Sequence, residues 1–95
     1  MVLNDFVIIE REKEKKMSNL EKYNDVFMKV LNANQDQLNE QFTFQEIPQW
    51  DSVAHLSLIT ELEDAFDIMF DSEDILHFGS YENGKKILYR MGIFM

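Results

Sequence analysis

Asp51 and Ser52 are the residues best placed to carry chemistry, because they stand at the start of a segment of helical periodicity. A serine that opens a helix lies where free backbone N–H groups and the helix dipole favour negative charge, so a charged group attached to it would be stabilised. Its place after a loop also leaves the hydroxyl within reach of a modifying enzyme. The simpler interpretation is that Ser52 only caps the helix, a contribution of about 1 kcal/mol. Asp51 is an equally good cap.

His55 follows Ser52 by three residues, which raises the question of a hydrolase. A nucleophilic serine of that kind needs a strained turn such as Gly-x-Ser-x-Gly and a third group that orients the histidine. The sequence offers neither, so we expect no catalysis and place His55 at the surface near Ser52. Two histidines without a cysteine also disfavour a structural zinc site, and we expect no bound metal.

Apolar residues recur at spacings of three and four through most of the chain, which predicts helices. Ser52 is therefore expected to be positioned by a helix. The expected helices cover about 19–33, 52–66, 72–77 and 81–91. The predicted apolar stripe of the second helix consists of Val53, Leu56, Ile59, Leu62 and Phe66. Ser18, with Glu21 three residues later, predicts a capping box for the first helix. Gly84 makes the fourth helix the least favourable, because glycine costs about 1 kcal/mol against alanine in a helix.

The connection from Asn34 to Trp50 is long for a small domain, so its aromatic side chains must enter the core or carry function. One proline and three glycines in 95 residues favour helices over a fold of tight turns. We therefore predict an all-α bundle of three longer helices and one short helix, with a long loop before the second. Residues 17–95 are the expected domain.

Residues 1–16 are an N-terminal extension of unknown role, and three possibilities stay open for them. They are an extension upstream of a natural start at Met17, a tail that docks on the domain, or a segment that pairs with another chain. They hold four acids and four bases, so the whole net charge of −9 comes from residues 17–95, with fourteen acids and five bases.

This acidic field repels nucleic acid and anionic lipid and would steer the domain toward basic protein surfaces. The alternative is that the charge only keeps a small domain dissolved. There is no cysteine and no apolar run near the ~20 residues of a membrane span, and we expect no signal peptide. We expect a cytoplasmic protein with no membrane or nucleic acid partner.

The stretch from Trp50 to Ile68, WDSVAHLSLITELEDAFDI, resembles the acyl carrier protein family. That family is marked by an Asp-Ser pair opening the second helix, aliphatic residues at helical spacing, and an acidic-aromatic ending, here Leu62-Glu63-Asp64-Ala65-Phe66. The resemblance covers about residues 18–90, including the helix order. The Trp-Asp-Ser sequence is similar to that of carriers outside fatty acid synthesis, which implies a specialised pathway.

The resemblance implies that a phosphopantetheinyl transferase moves 4'-phosphopantetheine from coenzyme A onto the Ser52 hydroxyl, with Asp51 helping to present the site. The thiol of that arm then carries acyl or aminoacyl cargo as a thioester between loading and transfer enzymes with basic surfaces. An unmodified acidic helical module that binds a basic partner is the alternative function.

The residues expected to meet partners follow from the same resemblance. Val53 is either an apolar partner contact or part of the core. The acidic residues resemble the patch that carriers present to basic partners, and a solvated helix face is the alternative. They are Glu61, Glu63, Asp64 and Asp67.

Overall fold

Four helices make up the regular structure of residues 17–95, the part of the chain that the computed structural model describes. They are α1 (Asn19–Leu31), α2 (Ser52–Phe66), α3 (Ser72–His77) and α4 (Tyr81–Arg90), with a 3₁₀ turn at Gln35–Gln37. Within this range there is no β-strand, only an isolated bridge between Thr43 and Ser80. The prediction of an all-α bundle with three longer helices and one short helix is confirmed. The predicted N-terminal extension, residues 1–16, lies outside the described residues.

Side-chain caps define where the helices begin. The capping box predicted for α1 is present: Ser18 Oγ accepts from the Glu21 amide at 3.1 Å, and Glu21 Oε1 accepts from the Ser18 amide at 3.0 Å. Asp71 and Ser80 cap α3 and α4 without a reciprocal bond, each accepting from the backbone amide three residues later. The first helix ends at Leu31 rather than near residue 33, because Asn32 adopts a left-handed conformation with φ 52°.

Aromatic rings from the helices and from the long loop build the centre of the core. Phe27 of α1 lies within 6.2 Å of the ring centroids of its aromatic neighbours, which are Tyr23, Phe42, Trp50, Phe78 and Tyr81. Phe42 and Trp50 come from the loop before α2, and both are buried. At these two positions the aromatic side chains of the loop enter the core, which is the first of the two predicted alternatives. Trp50, at the end of the loop, anchors the start of α2.

Gly84 allows α4 to approach α1 closely. A Cβ atom at this position would overlap the hydroxyl of Tyr23 and the ring of Phe78. That hydroxyl is buried and donates to the Tyr81 carbonyl at 2.6 Å, and its burial raises the pKa of Tyr23 well above the usual value. Gly84, unfavourable for the helix by itself, is thus required by the packing around it.

Candidate functional site

Asp51 and Ser52 have different roles at the start of α2: one caps the helix and the other is exposed. Asp51 Oδ1 accepts a hydrogen bond from the Ala54 amide at 2.8 Å, which makes Asp51 the cap and Ser52 the first helical residue. The Ser52 side chain is exposed and makes no side-chain hydrogen bond to another described residue. The structure therefore assigns the cap to Asp51 and leaves the Ser52 hydroxyl facing solvent.

His55 holds the first turn of α2 through both of its ring nitrogens. Trp50 Nε1 donates to His55 Nδ1 at 3.0 Å, and His55 Nε2 lies 2.9 Å from the Ile75 carbonyl oxygen of α3. A neutral imidazole that accepts at Nδ1 donates at Nε2, so the two contacts require the same tautomer. His55 is half-buried rather than at the surface as predicted, and both of its ring nitrogens have partners within the domain.

An apolar cavity of about 230 Å³ lies beside this turn, between the long loop, α2 and α3. Its lining residues are Phe44, His55, Ile75, Leu76 and Gly79. Neither this cavity nor the Trp50–His55–Ile75 contacts were predicted from the sequence. One signal was available: a buried tryptophan usually finds a partner for its N–H, and a histidine follows Trp50 by five residues.

Two apolar residues predicted in the stripe of α2 face solvent instead. Val53 is 75% exposed and Leu56 is 60% exposed, while the buried residues of the helix are Leu58, Ile59 and Leu62. Val53 is therefore not part of the core, and its role as a partner contact stays a prediction. The predicted stripe was wrong at these two positions, because the first turn of α2 contacts the rest of the domain through His55.

The predicted acidic patch divides between the two edges of α2. Glu61 Oε1 pairs with Lys29 Nζ of α1 at 2.7 Å, and this hydrogen bond and charge raise the pKa of Lys29. Glu63 Oε2 accepts from the Phe70 amide at 2.9 Å and braces the connection to α3. Residues 61 and 63 lie about 200° apart around a helix, so they face different neighbours. Asp64 and Asp67 are exposed, and Asp67 closes the helix with φ 53°.

The residues between 17 and 95 offer no group of three or more candidate ligands that could hold a metal ion. The helices within that range are all too short or too polar to cross a membrane. Comparison of the chain with protein-family models, with curated proteins and with solved structures gives no match in any of the three. What defines the site is therefore its geometry: an exposed hydroxyl at the start of a capped helix, next to an apolar cavity, in a small all-α bundle.

Proposed function

We propose that this chain is an acyl carrier protein, which performs no catalysis itself. It holds acyl or aminoacyl intermediates as thioesters on a 4'-phosphopantetheine arm attached to Ser52 and passes them between enzymes of a specialised pathway in the cytoplasm. The observation that supports this most directly is the exposed Ser52 hydroxyl at the first position of α2, with Asp51 supplying the cap.

The residues around Ser52 fit an attached phosphodiester. The amides of Ser52 and Val53 belong to the first turn and have no acceptor within the helix, whereas those of Ala54 and His55 are bound by Asp51. Two free N–H groups and the positive end of a fifteen-residue helix favour the negative charge of a phosphodiester. The apolar cavity beside His55 offers nearby apolar surface to the cargo.

The partners of this carrier are a phosphopantetheinyl transferase and loading or transfer enzymes with basic surfaces. Exposed Val53 supplies an apolar contact beside the attachment site. Exposed Asp64 supplies negative charge near the C-terminal end of the same helix. Glu61 and Glu63 contribute to the summed negative field even though each is bound within the domain.

The test is the mass of the intact chain after incubation with coenzyme A and a broad-range phosphopantetheinyl transferase. We expect the wild-type chain to gain one arm and Ser52→Ala to gain none. Ser57→Ala is the matched control, because Ser57 is an exposed serine of the same helix and its loss should leave the modification intact. An unmodified wild-type chain, beside a control carrier that is modified, would contradict the proposal.

An unmodified interaction module is the second candidate function. It is favoured by the exposed apolar side chains on α2, α3 and their connection, which are Val53, Leu56, Met69 and Leu76. Such side chains bind a partner without any arm. The mass experiment separates the two, since only the carrier requires a change at Ser52.

A further inference from the structure

Helix α4 concentrates positive charge on a domain that is otherwise acidic. Three of the five basic residues between 17 and 95 lie on this helix. Together with neighbouring apolar side chains they line a cavity of about 450 Å³, and we call this surface the basic α4 face. The cavity is lined by Glu82, Lys85, Lys86, Tyr89, Arg90 and Met95. The basic α4 face consists of these residues together with Phe94, whose ring packs on Tyr89.

The basic α4 face also exposes aromatic surface. Tyr89 is 60% exposed and Phe94 is 59% exposed, and their ring centroids lie 4.6 Å apart. Lys85 pairs with Glu82 and Arg90 pairs with Asp74, but Lys86 makes no ion pair with another described residue. Exposed apolar surface beside Lys86 and the other bases of α4 is suited to an apolar segment that carries acids.

The start of α1 lies at the edge of this face. Asn19, at the start of α1, donates from Nδ2 to the Phe94 carbonyl at 2.9 Å. Residues 1–16 therefore join the domain beside the Tyr89–Phe94 pair. The nine steps from Glu10 to Asn19 span up to about 30 Å when extended, whereas α4 is about 15 Å long. The reach is sufficient to cover the whole face.

The sequence of residues 1–16 contains a segment that matches this face both in apolar character and in charge. Residues 5–10 read Asp-Phe-Val-Ile-Ile-Glu, four apolar residues with an acid on each side. We propose that this segment docks on the basic α4 face of its own chain, with Phe6–Ile9 covering Tyr89 and Phe94. Asp5 and Glu10 then lie toward Lys86 and the exposed part of Arg90.

Tethering favours docking within one chain over other occupants. A short flexible connection gives an effective concentration in the millimolar range, so a weak contact is well populated without a partner. A second copy of the chain offers the same segment only at its bulk concentration. The inference does not depend on any modification of Ser52.

Paramagnetic broadening in the full chain tests the docking. The chain has no cysteine, so Asn4→Cys gives a single site for a nitroxide label. Because tethering populates the docked state, we expect the amide signals of residues 85–95 to lose about twofold or more of their intensity relative to the reduced label. Undiminished signals there would overturn the proposal.

Two controls make the result specific. Adding Ile8→Asp to the labelled chain should restore the signals, whereas Leu3→Asp, the same kind of change outside Phe6–Ile9, should not. A mixture of labelled chains without ¹⁵N and label-free chains with ¹⁵N should show no broadening. Broadening in the mixture would assign the face to a second copy instead, and broadening that survives Ile8→Asp would refute the apolar contact.

Discussion

At the scale of single residues, the site depends on how neighbouring side chains share the polar groups at the start of α2. Asp51 binds the Ala54 amide, and His55 binds the Trp50 indole and the Ile75 carbonyl. Ser52 is left exposed among them. A hydroxyl that no neighbour requires can be modified without a loss of stability in the domain.

His55→Leu should show how much these contacts contribute. The substitution leaves the N–H of the buried Trp50 without a partner, which costs about 1–3 kcal/mol. His77→Leu is the matched control, because His77 is exposed and its loss should change stability by less than about 0.5 kcal/mol. Urea unfolding followed by the fluorescence of the single tryptophan measures both. Equal costs would show that the contacts of His55 add nothing.

At the scale of elements, the long loop and the α3–α4 connection hold the start of α2. The Phe44 amide donates to the Gly79 carbonyl at 2.8 Å, and the Tyr81 amide donates to the Phe42 carbonyl at 2.9 Å. These bonds fix the loop between the core and α4, so that Trp50 enters the core just before Asp51. The two buried aromatics of the loop, Phe42 and Trp50, hold it against the core.

Gly84→Ala tests the packing of α4 against α1. Alanine improves the intrinsic helix propensity by about 1 kcal/mol, but its Cβ would overlap Tyr23 and Phe78. Because overpacking a close-packed core costs about 1–3 kcal/mol, we expect a net loss of stability in thermal unfolding. A rise in the melting temperature would mean that α4 has room to move away.

At the scale of the whole molecule, charge is unevenly distributed. Three acids lie in the second half of α2, at positions 61, 63 and 64, while three of the five described bases lie on α4. Glu61 and Glu63 have structural contacts of their own, so Asp64 is the acid on α2 that can be changed with the least effect on the fold. We expect Glu63→Lys, in contrast, to weaken the connection to α3, because it removes the acceptor of the Phe70 amide.

Asp64→Lys should slow modification by the transferase about threefold at low salt, because a local charge steers the encounter. The effect should shrink toward 1 M salt, where the screening length falls to about 3 Å. Asp36→Lys is the matched control, an exposed acid in the 3₁₀ turn with the same change of charge. Equal slowing by both variants would show that only net charge matters. Modification rates from mass spectrometry provide the measurement.

The amino-acid sequence alone determined which segments are helical and where each helix begins. Apolar spacing and capping residues act within a few positions, so the all-α fold, the short α3 and the Ser18–Glu21 box were predictable. The start of α2 at Ser52 was predictable for the same reason.

Only the tertiary structure decided which neighbours use each polar side chain. His55 meets a carbonyl twenty positions away, and Glu61 meets a lysine thirty-two positions away. The tight contact at Gly84 likewise joins α4 to Tyr23 of α1. Contacts between residues so distant in sequence depend on how the helices pack, and no local pattern encodes them. For that reason the burial of His55, the exposure of Val53 and the division of the acids appear only in the folded chain.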